Sequence, residues 1–237
     1  MEVIYNCWHG CHKKSEGCLN CYVFRRDESI GKDTNVVTKT ASFALPVRRK
    51  RDGSYKYPSG TLFMTCFSSD FFLEEADEWR EEVLDFIKER SDCRFYCITK
   101  RPERIKLIDV REYPNLTICC TCENQKRLEE RMPYYLPLEL YRKEIILEPM
   151  LEEMDLARYI NDLDAVSLGG ESGDNARPLD FDWVRKIAGQ CRKAGIPFHF
   201  HQTGANLIKD GKLYRIPRNL QHSQAAKAMK QIGRAHV

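Results

Sequence analysis

Apolar residues along this chain collect in short β-rich runs, separated by stretches with helical periodicity. The runs fall at 61–67, 94–99, 116–122, 144–148, 164–168 and 197–202. Each has the length and the β-branched or aromatic content of a buried strand. Between the first two, residues 74–90 set Trp79, Val83, Phe86 and Ile87 on one face at helical spacing, with acids and bases elsewhere, which predicts an amphipathic helix. Before the last run, Asp180 can cap a helix that turns Trp183, Ile187 and Cys191 inward, and Gly195 can end it ahead of Pro197. Shorter helices are expected after Pro102, Glu123 and Leu151. Strands alternating with helices imply a parallel sheet. Six such units favour an α/β fold built as a single-domain parallel (β/α) barrel, partial and TIM-like, over an open doubly wound sheet.

Polar and charged residues gather where these runs stop. They are Ser68-Ser69-Asp70, Thr99-Lys100-Arg101, Glu123-Asn124, Glu148-Pro149, Gly169-Gly170-Glu171-Ser172 and Gln202-Thr203-Gly204. In a parallel barrel the C-terminal strand ends open on one face, so these groups would surround one pocket. Loops after strands are polar in any case, because Ser, Asp and Asn cap the next helix. That reading suits individual residues better than six successive ends.

Composition narrows the classes. With 42% hydrophobic and 31% charged residues, and no apolar run near the roughly 20 residues that span a bilayer, the chain is expected to be globular and to have no membrane partner. The first residues, Met-Glu-Val-Ile-Tyr-Asn-Cys, have neither a basic start nor an apolar stretch, so a cytoplasmic location is expected. In that compartment eleven cysteines, an odd number, read as metal ligands and buried thiols rather than disulfides. A net charge of +3 does not by itself argue for nucleic acid. No helix shows a heptad that would fix an oligomeric state. One domain is expected over residues 1–231. The tail 232–237, Ile-Gly-Arg-Ala-His-Val, is what a common sequencing-adapter string encodes and is expected to be non-native.

Cys11, Cys18 and Cys21 lie in a short segment rich in Gly, Ser and Asn, where thiolates can converge on a metal. Soft sulfur ligands suit an iron–sulfur cluster or zinc. Three thiolates on a four-iron cluster leave one iron open to a substrate or cofactor. The alternative is a closed zinc site completed by Cys7, His9 or His12, in a zinc-stabilised, non-catalytic nucleic-acid-binding protein. Cys66, Cys93, Cys97, Cys119, Cys120, Cys122 and Cys191 read as buried thiols. His199 and His201 share one side of the last strand and read as pocket or core residues. The run Arg48-Arg49-Lys50-Arg51, with Asp52-Gly53 turning the chain and Tyr55 and Tyr57 nearby, reads as a basic hairpin. It offers phosphate contacts and stacking surfaces to nucleic acid.

Taken together, Trp8-His-Gly-Cys11, Ser15-Glu-Gly-Cys18-Leu-Asn-Cys21-Tyr22, Thr99-Lys-Arg-Pro102, Glu123-Asn-Gln125, Glu148-Pro149, Gly169-Gly-Glu-Ser-Gly173, Ala176-Arg-Pro178 and Gln202-Thr-Gly204 resemble a phage-associated three-cysteine protein family. That family is itself similar to radical S-adenosylmethionine enzymes. The resemblance implies that Cys11, Cys18 and Cys21 hold a 4Fe–4S cluster whose open iron chelates S-adenosyl-L-methionine. An electron donor would reduce it, and a 5′-deoxyadenosyl radical would act on an unknown substrate. Expected near the cofactor are Tyr22, Ser68, Asp70, Gly169, Gly170, Glu171 and Ser172. Lys100, Arg101, Glu123, Glu148 and Gln202 are expected as catalytic or pocket-lining groups. The chain departs from the usual radical pattern in its C-x6-C-x2-C spacing, in Asn20 where an aromatic residue is usual, and in placing Gly169-Gly170-Glu171 after a late strand.

Overall fold

The computed structural model describes residues 1–234, and for Gln231, Gly233 and Arg234 the backbone alone. Each apolar run forms a strand: β2 (Leu62–Thr65), β3 (Arg94–Thr99), β4 (Leu116–Thr121), β5 (Glu144–Leu147), β6 (Ala165–Gly169) and β7 (Phe198–Gln202). The sequence pattern missed β1 (Glu2–Tyr5), because only Tyr5 in it is buried and Ile4 is 58% exposed. The seven strands form one sheet in the order β1 to β7. The registered neighbours are all parallel. In β4 every residue but Thr117 is buried, as a parallel sheet covered on both faces requires. This is the expected α/β architecture. It has seven strands rather than the eight of a complete barrel, and β1 and β7 stand at opposite ends of the strand order.

Helix α2 (Asp77–Glu89) follows a single 3-10 turn at Glu74–Ala76 and buries Val83 and Ile87 as expected. It also buries Arg80 and Leu84, while Trp79 and Phe86 are only half-buried. The Arg80 guanidinium lies 5.4 Å from the Phe72 ring centre and donates through one Nη to Asp77 at 2.7 Å, while its Nε and other Nη are buried without a hydrogen-bond partner among the described residues. In α4 (Phe181–Ala194) Asp180 caps the first turn by accepting from the Asp182 N–H at 2.9 Å. Gly195 at φ 72° closes it, with the Gly195 and Ile196 N–H groups returning to Arg192 and Cys191 carbonyls. Ile187 and Cys191 point inward as predicted. Val184 takes the inward place predicted for Trp183, which is half-buried.

Asn124 caps α3 (Gln125–Tyr135) after Glu123 through the Arg127 N–H at 2.8 Å. The helix expected after Pro102 is a 3-10 helix, Pro102–Leu107. None forms directly after Leu151, where the Asp155 carboxylate takes the Ala157 N–H at 2.9 Å and competes with helical bonding. Besides β1, elements outside the prediction include α1 (Tyr22–Ser29), the antiparallel hairpin β8 (Asn206–Lys209) to β9 (Lys212–Arg215), and α5 (Gln221–Arg234). Asp210 and Gly211, both at positive φ, turn that hairpin. No described helix is long and apolar enough to cross a membrane. Of the expected tail, residues 235–237 lie outside the described residues.

Contacts divide the chain into two compact units, one of residues 1–13, 23–120 and 137–142, the other of 14–22, 121–136 and 143 onward. In the first, Phe63 stacks on Phe95 with ring centres 5.0 Å apart and meets Tyr5 edge-on at 6.0 Å. In the second, Phe200 of β7 packs on Phe181 of α4 at 6.4 Å. Phe63 is fully buried. Phe63→Ala is therefore expected to cost about 3–5 kcal/mol, measured as a lower urea midpoint at unchanged slope.

Candidate functional site

The cysteine segment contains little regular structure, only the 3-10 turn Glu16–Cys18 before α1 begins. Cys11, Cys18 and Cys21 are half-buried, whereas the other eight cysteines are buried. The Lys14 N–H points to Cys18 Sγ at 3.5 Å. Its backbone is partly self-satisfied, with Cys11 N bonded to the Thr34 carbonyl at 2.8 Å and Cys18 N to that of Ser15 at 2.9 Å, and side chains elsewhere in the sequence add further anchors.

In the first unit that side chain is Asp70, 5% exposed beyond the end of β2. The chain reaches it through Cys66, a non-glycine residue at φ 64°. Such a conformation costs about 1–3 kcal/mol. The Asp70 carboxylate accepts from Thr99 Oγ1 at 2.7 Å, Phe72 N at 2.9 Å, Lys100 N at 2.9 Å and Arg101 Nη1 at 3.0 Å. Arg101, itself buried, donates its other Nη to the His12 carbonyl at 2.9 Å. The pair thus fixes the residue next to Cys11. Ser68 donates to the Trp8 carbonyl and Ser69 to that of Gly10. Gly10 sits at φ 101°, where an added Cβ would lie 2.5 Å from the Val36 carbonyl oxygen. Lys100 is half-buried beside this knot.

In the second unit Glu123, fully buried after β4, accepts from Arg131 Nη1 at 2.6 Å, from the Gly17 N–H at 3.2 Å and from Ser15 Oγ. Arg131 also donates to Ser15 Oγ at 2.8 Å. The Glu171 carboxylate, 5% exposed, accepts from Asn20 Nδ2 at 2.9 Å and from Arg177 N and Nε at 2.8 and 2.9 Å. Arg177 continues to the Glu16 carbonyl at 3.0 Å. Burial is the largest influence on the Glu171 carboxyl and pushes it up. The hydrogen bonds from Arg177 and Asn20 outweigh it and hold the group below its ordinary range. Glu16 itself is gripped bidentately by Arg127 at 2.8 and 2.9 Å, and its pKa falls to about 2.

Asp70, Arg101, Glu123 and Glu171, expected to face cofactor or substrate, are therefore occupied in holding the cysteine segment. Arg131 was missed because it lies among Leu128, Met132 and Tyr135 on the buried side of α3, where a cation is not expected. Arg177 was visible only inside Ala176-Arg177-Pro178. The glycines of Gly169-Gly170-Glu171 admit the chain itself. A Cβ on Gly169 would lie 2.5 Å from the Glu148 carboxyl, and one on Gly170 would lie 2.3 Å from the Thr203 carbonyl oxygen. Glu148 accepts from Gln202 Nε2 at 2.5 Å and pairs with His201 Nδ1 at 2.9 Å. Tyr22 is 43% exposed at the start of α1, and Ser172 is half-buried.

The residues offered as extra zinc ligands have other partners. Cys7 is fully buried beside Cys66, whose thiol is pushed well up by burial and then by Cys7. His9 Nε2 pairs with Asp27 at 2.7 Å, and His12 pairs with Glu75. Among the described residues no three His, Cys, Asp or Glu side chains, those of Cys11, Cys18 and Cys21 included, are gathered as a metal site. The basic run does form a hairpin, with Arg49 opposite Tyr55 and Gly53 at φ 83°. Half of its charge is used internally, because Arg49 stacks on Tyr55 and reaches Glu89 while Arg48 donates to the Ala41 carbonyl.

The parallel sheet has solved counterparts, and the chain shares the fold of spore photoproduct lyase. It aligns with a cysteine-to-serine mutant of that lyase at a TM-score of 0.52 and 13% identity, covering 98% of this chain and 72% of that one. A doubly substituted form with bound AdoMet and dinucleoside spore photoproduct gives 0.51 and 13% over the same shares. At such identity the likeness shows the fold. No curated protein matches. Over residues 1–235 the chain matches, and belongs to, the family described as "Protein of unknown function (DUF5131)".

Glu123→Gln leaves the Arg131 charge buried without its counter-ion and is expected to cost about 3–5 kcal/mol in urea unfolding. Glu123→Leu with Arg131→Met should recover most of that loss, yet expose residues 12–20 to limited proteolysis. Because Glu16 is depressed from 4.5 to about 2, its pairing with Arg127 is fully present above pH 4.5 and is lost as pH falls through about 2. An NMR carboxyl titration should show that midpoint, and Arg127→Gln should return it toward 4.5.

Proposed function

We propose that this chain is a radical S-adenosylmethionine enzyme in which Cys11, Cys18 and Cys21 hold a 4Fe–4S cluster. One observation carries the reading. Of eleven cysteines, only these three reach solvent, and they lie on a segment fastened by three buried carboxylates and their arginines. The donor set suits such a cluster: three soft thiols, free of disulfides, with a backbone N–H directed at one sulfur. When bound and reduced by an electron donor, the cluster would cleave S-adenosylmethionine to methionine and a 5′-deoxyadenosyl radical that takes a hydrogen atom from substrate.

The chain's own residues divide the remaining work. Asp70 with Arg101, Glu123 with Arg131, and Glu171 with Arg177 hold the segment still. Tyr22, Ser172 and Lys100 would contact cofactor or substrate, the Lys100 ammonium favouring an anionic group. Glu148, oriented by Gln202 and His201, offers a carboxylate to substrate hydroxyl or amino groups. Support comes also from the fold shared with a lyase solved with AdoMet and a dinucleoside photoproduct. That likeness brings S-adenosylmethionine and a nucleic-acid substrate to this chain as part of the proposal. The resemblance to phage-associated three-cysteine proteins brings S-adenosylmethionine alone.

Reconstitution with iron and sulfide under anaerobic conditions tests the reading. A brown protein with about four irons per chain is expected, releasing 5′-deoxyadenosine from S-adenosylmethionine on reduction. Alanine at Cys11, Cys18 or Cys21 should abolish colour and cleavage, whereas Cys191→Ala should change neither. A colourless protein that retains one zinc would establish the zinc-stabilised binding protein instead.

A further inference from the structure

Within the first unit, beside the edge strand β1, lies a cavity of about 410 Å³ that none of the site residues above explains except Ser68 at its wall. Its lining carries Arg26, Lys32 and Lys39, the hydroxyls of Thr38 and Ser42, and the buried ring of His9. No acidic side chain is among its described lining residues. The nearest carboxylate behind it, Asp27, is 1% exposed and committed to His9 at 2.7 Å and Thr34 at 2.8 Å. Lys39 is held in place by Glu82 at 2.6 Å and lies over the Phe43 ring at 4.1 Å. Arg26 and Lys32 are exposed, and the Lys32 charge also acts on Asp27.

We propose that this cavity binds a nucleotide through its phosphate ester. The exposed Arg26 and Lys32, with Lys39 shared with Glu82 and two hydroxyls around the same concavity, make a donor-rich, positive surface, which selects an anion. A phosphate presents three strong acceptor oxygens and close to two charges, and so can engage cations spaced around a rim where a two-oxygen carboxylate cannot. The volume is that of a small-ligand site. It exceeds what a bare ion needs, leaving room for a sugar. The wall also leads onward. Arg48 ties the start of the basic hairpin to the carbonyl of Ala41, between the lining residues Thr40 and Ser42. The exposed Lys50 and Arg51 then extend the positive track. The phosphate can belong to a free nucleotide or to a strand.

The test compares the full chain with Arg26→Ala/Lys32→Ala, using 5′-AMP in calorimetry and a labelled twelve-nucleotide oligothymidine in fluorescence anisotropy. Both replaced side chains are exposed, so the double variant should melt at the parent's temperature. At least a tenfold loss of affinity is expected. For the oligonucleotide, the salt dependence should fall by about 1.4 in log–log slope, since each single-strand phosphate contact contributes about 0.7. Thr38→Glu, which sets a carboxylate on the rim without removing a cation, should cause the same loss. Binding of AMP assigns the site to free nucleotides, and binding of the oligonucleotide alone assigns it to a strand. Failure of the parent to bind either, or equal affinity in parent and variants, overturns the proposal. None of these readouts depends on iron or S-adenosylmethionine.

Discussion

The buried ion pair between Glu123 and Arg131 is the constraint on which the cysteine segment most depends. Two charges taken out of water repay their desolvation only when every remaining hydrogen-bonding position is filled. Here the missing partners are supplied by Ser15 and Gly17. The segment therefore completes the pair as much as the pair holds the segment. Asp70 with Arg101 and Glu171 with Arg177 repeat the arrangement at His12 and at Asn20. A stretch with almost no apolar side chains of its own thereby acquires a single conformation. This is a use of buried charge for specificity rather than for raw stability.

Burial sorts the eleven cysteines. Cys66 and Cys97 are enclosed in the first unit, where desolvation before any other cause drives their thiols well above the ordinary range. Cys191 is pushed to about 12 for the same reason. Such thiols stay protonated and act as small apolar side chains. Only the three half-buried cysteines remain as candidate ligands, so the same packing that builds the sheet narrows the choice of sulfur.

Much of the fold was legible because parallel strands are buried on both faces and read as unbroken apolar runs. Strands β2 to β6 and the Asp180-to-Gly195 helix followed from that rule and from capping chemistry, and β7, in which Phe200 alone is buried, from its aromatic run. The edge strand β1 was not legible, since half its surface faces solvent, and α1 and α5 carry too mixed a pattern. The polar strand ends were correctly located, but their work could not be read from residue type. A carboxylate after a strand looks the same whether it meets a ligand or an arginine such as Arg131, 8 residues further along the chain. Pairing between distant segments decides that, and one sequence does not display it.

The separations spanned by these anchors also set an order of events. His12 is joined to a residue 89 positions later, Ser15 to one 108 later and Asn20 to one 151 later. Chains emerge from the ribosome N-terminus first. The first sulfurs to be synthesised are thus among the last to be given a shape, and during that interval they are as reactive as thiols in any unfolded peptide. Reducing conditions, or an escort that shields them, would matter more to the newborn chain than to the finished one.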